Sequence, residues 1–160
     1  MQQKMITFWV GGQMYCLPLL MIGEFCPSHT VTPVAGVDAR IRGVAHLRGA
    51  STAVLDMRRI FGLKPREVST PTDTMLVLAQ ADLCEEAQRS QLVTFEEPVI
   101  LEVDTLAEIV TLDDSKMHAT PAHLDEPFYL GVYATPDRDL IALNFSKLIS
   151  FLALDFQETR

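Results

Sequence analysis

Apolar residues along this chain come in short runs of four to eight, rich in Val, Ile, Leu, Phe and Thr and closed off by Gly, Pro, Asp or Ser. That punctuation belongs to strands rather than helices. The runs predict strands over Ile6–Val10, Met14–Leu19, Arg42–Leu47, Thr52–Leu55, Thr74–Leu78, Pro98–Val103, Phe128–Tyr133 and Leu140–Leu143. Gly11-Gly12 reads as the turn of a hairpin between the first two, and Arg48-Gly49 as the turn between the next pair, with Gly49 free to take a positive φ. Helical signals are few. Asp56 is a good N-cap, its carboxylate able to accept backbone N–H bonds, and Gly62 is placed to end the short helix that follows. Asn144 can cap a second helix running through Phe151 toward Leu154. The polar segment Ala81–Glu97 reads as an extended surface loop with a helical turn at Leu83–Gln88, and Asp113–Pro127 as a second loop.

The same pattern occurs twice. Gly43-Val44 is followed after eleven residues by Asp56, and Gly131-Val132 after eleven residues by Asn144. Each cap opens an amphipathic run with a basic residue three places on, Arg59 or Lys147. Upstream, Leu17-x-Leu19-x-x-Ile22-x-Glu24-Phe25 matches Leu101-x-Val103-x-x-Leu106-x-Glu108-Ile109. A repeat of this length is one supersecondary unit used twice. The expectation is an all-β chain, 1–160 as one domain, with repeats over about 6–72 and 73–150, a C-terminal helix over about 144–154, and two small barrels that shield their strand edges.

Composition narrows the function. Charged residues make up 21% and apolar residues 48%, so the chain can bury a core. A net charge of −8 provides no phosphate-neutralising surface, which argues against nucleic acid and against an anionic membrane surface. The longest apolar run, Leu17–Gly23, is too short to cross a bilayer, and three cysteines without CxxC spacing suit reduced thiols. Those features predict a soluble, cytoplasmic protein without membrane insertion.

Candidate chemistry is sparse. His118 and His123, five apart, fall on different sides of a helix and read as solvated loop residues, and no metal site is expected. GxSxG, Walker and GxGxxG motifs are absent. Cys16 and Cys26 have no cationic neighbour in sequence to activate a thiolate. No cofactor and no catalysis are expected, and a doubled framework without chemistry points to holding other proteins.

The stretch Gly43-Val-Ala-His-Leu-Arg-Gly-Ala-Ser-Thr-Ala-Val-Leu-Asp-Met-Arg-Arg-Ile-Phe61 resembles the signature of the CheW family, the coupling proteins of bacterial chemosensory arrays. Gly43, Val44, Leu47, Arg48, Gly49, Val54, Asp56 and Phe61 match its pattern. Tyr15-x-Leu17, Ile22-x-Glu24-Phe25, Pro33, Val103-Asp104 and Glu108 extend the resemblance, which covers residues 6 to about 150 and is most specific over 15–63. His46 stands where the family has Asn, Ala53 where it has Pro, Asn144 where Asp is commoner, and Ala81–Glu97 exceeds the usual hairpin.

The resemblance implies two SH3-like barrels of roughly five strands each. It implies a scaffold coupling the cytoplasmic tips of chemoreceptors to the regulatory domain of a CheA-type sensor histidine kinase. By residue match, receptor contact falls to Ile22, Glu24, Gly43, Leu47, Arg48 and the substituted His46. Phe25 and Val31 are candidates for the kinase face, on the expectation that a small desolvated apolar centre anchors it. The residues alone leave other readings open. Arg48 also fits a plain turn or a pair with Glu24, Glu24 the solvent side of a strand end, Gly43 a bulge or a close backbone approach, and Ile22 the core. Two alternative functions also stand: an accessory protein that binds only the kinase or competes with the main adaptor in a surface-motility, developmental or biofilm pathway, and a small-molecule-sensing barrel.

Overall fold

The structure, a computed structural model, describes residues 2–26, 31–34, 38–47, 49–67, 70–121 and 128–158, without the side chains of residues 26 and 153–158. The first hairpin joins β1 (Gln2–Val10) to β2 (Gln13–Pro18), with Val10 opposite Gln13. Gly11 and Gly12 both take positive φ, 60° and 83°, as a two-residue turn matched to strand twist requires. Then come β3 (Ile22–Cys26), β4 (Ile41–Leu47), β5 (Ala50–Asp56) and the one-turn helix α1 (Met57–Ile60). The remaining elements are β6 (Asp73–Val77), α2 (Glu85–Arg89), β7 (Val99–Val103), β8 (Thr105–Asp113), β9 (Met117–His118), β10 (Tyr129–Ala134), β11 (Asp139–Leu143) and α3 (Phe145–Glu158).

Both expected helix caps form. The Asp56 carboxylate accepts from the Arg58 N–H at 3.0 Å, and Asn144 Oδ1 accepts from the Lys147 N–H at 3.2 Å. Gly62, at φ 70°, donates its N–H to Arg59 O while Leu63 N–H reaches Arg58 O, closing α1 with a Schellman pair. Three strands were not expected: β3, β8 and β9. β8 is a half-exposed edge, so its side chains lack the strict alternation that marks a strand, and the expected Asp113–Pro127 loop starts only where β8 ends. β3 carries Gly23 and a register shift, and β9 has only two residues.

The strands form two mixed sheets, in the orders β8-β1-β2-β11-β10-β9 and β3-β6-β7-β5-β4. Each draws a hairpin from one half of the chain and its other strands from the other half. The β6–β7 hairpin lies between β3 and β5, and the β1–β2 hairpin lies between β8 and β11. The joins β5–β7 and β2–β11 are parallel. The halves therefore exchange hairpins, and β7, held between β6 and its parallel partner β5, is buried at all five residues.

The main core fills the space between the sheets, with Phe8, Leu17, Leu101, Phe128 and Leu148 wholly or almost wholly buried. Each such side chain stabilises the fold by about 1.5–3 kcal/mol. Phe61, at the end of α1, stacks on Tyr15 at 4.5 Å and approaches Phe128 at 5.5 Å. A smaller cluster of Ala45, Val54, Leu76 and Ile100 fills the five-stranded sheet, and another of Met5, Met14, Cys16, Tyr133, Leu140 and Ala142 fills the six-stranded one.

Candidate docking surface

Gly43 opens the signature stretch, and its geometry explains why glycine stands there. Its φ is +154°, and a Cβ on it would lie 2.2 Å from the carbonyl oxygen of Thr32. The approach is fixed by two backbone bonds, Thr32 N–H to Val44 O at 2.8 Å and Val44 N–H to Thr32 O at 2.9 Å. The β4–β5 register also shifts between Ile41 and Gly43, so close approach and bulge coexist. Gly131 repeats the arrangement: a Cβ there would meet His118 O at 2.7 Å, Val132 pairs with His118, and the β10 register shifts beside it. The doubled Gly-Val thus marks where an incoming segment crosses a strand edge in each sheet.

β4 then carries His46, exposed and opposite Ser51, and Leu47, half-buried on the small cluster of the five-stranded sheet. Gly49 takes φ 81°, the positive value expected of the turn. Arg48 lies outside the described residues, and with it the Arg48–Glu24 pair. Val31 packs half-buried on the same small cluster as Leu47. On β3, Ile22 packs partly buried against the main core, Glu24 is half-buried opposite Leu76, and Phe25 is 41% exposed. β3 and β4 occupy opposite edges of the five-stranded sheet. The candidate residues therefore form two patches on one sheet, joined through the apolar cluster that runs across β6, β7 and β5.

A buried ionic cluster stiffens this sheet, and the sequence reading missed it. Arg66 is 7% exposed in its side chain. Its Nη1 lies 3.1 Å from both Asp56 Oδ1 and Glu102 Oε1, and its Nε donates to Asp104 Oδ1 at 2.9 Å. Its Nη2 is also 2.8 Å from that Asp104 oxygen, an ion-pair distance without hydrogen-bond alignment. Glu102 also accepts from Arg42 on β4 and from the Thr72 hydroxyl at 3.1 Å. Arg58 binds Asp104 through Nε and Nη2, both at 2.8 Å, and the Gly11 N–H donates to Asp104 Oδ2 at 2.8 Å. One network thus ties β4, α1, the segment before β6 and the end of β7 to the first hairpin of the other sheet.

A signal for this cluster was present in Val99-Ile-Leu-Glu-Val103, where a carboxylate interrupts a run that a doubly covered strand should keep apolar. A buried acid needs a partner, although the sequence could not name it. The cluster also explains why the first copy has Asp where the second has Asn. The counterpart of Glu102 in the other repeat is Pro18, so the second cap has no charge network to join.

Burial pushes the Asp104 carboxyl up, but the Arg58 and Arg66 guanidinia and the Gly11 N–H outweigh it, and the group lies below its ordinary range. A carboxylate depressed in the folded state adds stability that is complete above its unfolded value, about pH 3.9, and disappears as pH falls through the folded value. Asp104→Asn is therefore expected to be less stable than the parent at pH 7, with the difference shrinking below about pH 4. Urea denaturation at pH 7 and pH 3 checks this, and an equal deficit at both pH values would refute it.

Among the described residues, no group of three or more His, Cys, Asp or Glu side chains is placed to hold a metal ion. His123 lies outside them. Burial pushes the Cys16 thiol up to about 12, the reverse of nucleophile activation. No helix among the described residues is long and apolar enough to cross a membrane.

Comparison with known proteins agrees with this architecture. The profile of the CheW-like domain matches residues 4–152. The probable chemotaxis protein CheW of Rhizobium etli is 26% identical over 151 residues, spanning 92% of this chain and 88% of the relative. The chemotaxis protein CheW of Bacillus subtilis is 27% identical over 119 residues, 74% of this chain and 67% of its own. In fold, the chain is similar to the crystal structure of the scaffolding protein TtCheW from Thermoanaerobacter tengcongensis, with a TM-score of 0.72 at 21% identity and 89% of each chain covered. The chain belongs to the CheW-like domain family, a family of non-enzymatic chemotaxis scaffolds.

Proposed function

We propose that this chain couples the cytoplasmic tips of chemoreceptors to the regulatory domain of a CheA-type histidine kinase, as a cytoplasmic adaptor held at membrane receptor arrays through its partners. The observation that carries the reading is the pair of patches on one rigid sheet. β4 presents His46 and Leu47 beside the fixed turn at Gly49, and β3 presents Glu24 and the 41%-exposed Phe25. β4 is backed by the small apolar cluster and tied through Arg42 to the Arg66 network, while β3 pairs with β6, which supplies Leu76 to the same cluster, so both edges belong to one continuous sheet. A scaffold needs that property, because each contact is modest and only correct geometry lets several act together in an array.

In this reading Ile22, Glu24, Gly43, His46, Leu47 and Arg48 form the receptor side. Phe25 on β3 is the anchor of the kinase side, and Val31, assigned to the same partner, packs half-buried beside β4 with Leu47. Ile22 and Gly43 act by shaping the strands, since one packs on the core and the other is covered by Thr32.

Phe25→Asp is expected to weaken kinase binding at least about tenfold while leaving capture of a receptor fragment intact, because a large exposed aromatic is the residue type that dominates such interfaces. His46→Glu is expected to do the reverse. Pull-downs and calorimetry with the cognate kinase and receptor fragments, alongside melting curves, separate the two. Kinase binding unchanged by Phe25→Asp would refute the assigned face. Wild-type protein that binds kinase but no receptor fragment would replace this reading with the accessory, kinase-only one.

A further inference from the structure

The six-stranded sheet ends in β8, and among the described residues no strand lies beyond it. This edge runs for nine residues, Thr105–Asp113, whereas the opposite edge, β9, has only two. Natural sheets blunt such edges with lysine, proline, bulges or inward-pointing charges. β8 contains neither lysine nor proline, and its charged residues are Glu108 and the terminal Asp113. It does carry one bulge. Ile6 stands opposite Ile109 and Phe8 opposite Leu106, so Ala107 and Glu108 together face Thr7.

That bulge fixes which way the backbone points. The Thr7 hydroxyl donates to Glu108 O at 2.7 Å, and the Glu108 N–H donates to Thr7 Oγ1 at 3.0 Å. Both main-chain groups of Glu108 are therefore turned toward β1. Inward and outward groups alternate along an antiparallel strand, so Val110 bonds to β1 opposite Met5, while Ile109 and Thr111 aim their N–H and C=O groups at the open edge. On the other side of the bulge the Leu106 N–H is taken by Asp73 Oδ2 at 2.7 Å, so the open ladder begins at Ile109. Ile109 is 51% exposed, and the exposed Thr111 shares its face.

The same edge of another copy fits this one. A two-fold axis at Val110 sets Ile109 opposite Thr111 of the copy, and each such pair exchanges both hydrogen bonds. Both pairs are β-branched, and the two isoleucines lie diagonally across the seam, within reach of each other. Glu108 falls opposite Leu112 of the copy, so the two glutamates sit at opposite ends of the ladder and no like charges face each other. An isologous contact of this kind closes at the dimer, and the two-residue β9 leaves no second edge for growth.

We propose that β8 is a self-association edge: two copies of this chain pair it antiparallel about Val110 and join their six-stranded sheets into one. β3 and β4 belong to the other sheet, so both docking patches stay outside the seam. The dimer itself does not rest on the adaptor reading; only its use does, which is to hold two adaptors together and add to their multivalency.

Sedimentation equilibrium of the full chain is expected to show monomer and dimer, without larger species, and a dissociation constant of roughly 10–100 μM. Each copy carries a net charge of −8, so added salt should tighten the association. Amide exchange should slow at Ile109 and Thr111 as concentration rises, while Val110, already bonded to β1, stays protected throughout. Ile109→Lys, altered at an exposed position, should weaken association at least about tenfold with an unchanged melting temperature. Thr111→Pro removes one outward N–H and should do the same. Phe25→Asp should leave the dimer unaltered, and Ile109→Lys should leave capture of a kinase fragment intact, which tells a failed dimer from a failed adaptor. A chain that stays monomeric up to about 1 mM, or a dimer that Ile109→Lys does not weaken, would overturn the proposal. A monomeric parent that loses a receptor or kinase fragment on Ile109→Lys would overturn it in favour of a partner's strand on this edge.

Discussion

Replacing Arg66 with methionine is expected to lower the unfolding free energy by about 3–5 kcal/mol. The guanidinium lies within 3.1 Å of Asp56 and Glu102 and donates at 2.9 Å to Asp104, with only 7% of its side chain exposed. Methionine keeps the length and the packing but leaves those carboxylates short of a shared cation where water cannot replace it. Small domains are stable by about 5–15 kcal/mol, so the loss is a large fraction of the total. Arg59→Met is the internal comparison. Its Nε is 3.4 Å from the same Asp56, but the side chain is 44% exposed, and such pairs contribute about 0–1 kcal/mol. Adding Glu102→Gln to Arg66→Met should recover part of the deficit, because one of the stranded charges is then removed. Chemical denaturation of the four proteins measures all three quantities. Similar costs for Arg66→Met and Arg59→Met would show that burial of the cluster does not matter.

Gly43→Ala is expected to cost about 3 kcal/mol or more. Two effects add. Alanine must adopt φ +154°, and its methyl group would lie 2.2 Å from a backbone oxygen that Val44 also binds. The entropy that alanine removes from the unfolded chain recovers only about 0.4–1 kcal/mol. Gly49→Ala separates the two effects, since Gly49 has φ +81° with nothing within 4 Å of its Cβ position and should lose only about 1–2 kcal/mol. Melting curves give the costs, and hydrogen exchange at Thr32 and Val44 reports whether the crossing segment is pushed off β4. Equal costs at the two glycines would mean that the approach of Thr32 is not a constraint. Because β4 carries His46 and Leu47 three and four residues on, displacement there should also re-aim the receptor patch.

Much of the fold was readable from pattern. Eight strands, both helix caps and the Gly11-Gly12 turn follow from local chemistry: side-chain alternation, a carboxylate or amide at an N-cap, and glycine where φ is positive. β8 and β3 escaped because they are edges, where one face is wet and alternation fades. Of the candidate docking residues, the sequence placed Phe25 and His46 at positions that prove exposed, while Ile22 turns to the core.

By itself, then, the sequence determined that this is a doubled β framework whose two halves carry matching Gly-Val and cap positions, since periodicity and capping act within a few residues. Only the tertiary structure decided that the halves exchange hairpins, because strand pairing across the parallel joins is settled by which apolar faces meet, not by neighbours in the chain. It alone brought Asp56, Arg66, Glu102 and Asp104, spread over 49 positions of sequence, into one buried network. It also set Gln91–Val93, after α2, beside Met5, Met21 and Met117. Charges so separated find one another only when burial removes the water that would otherwise have satisfied each of them alone.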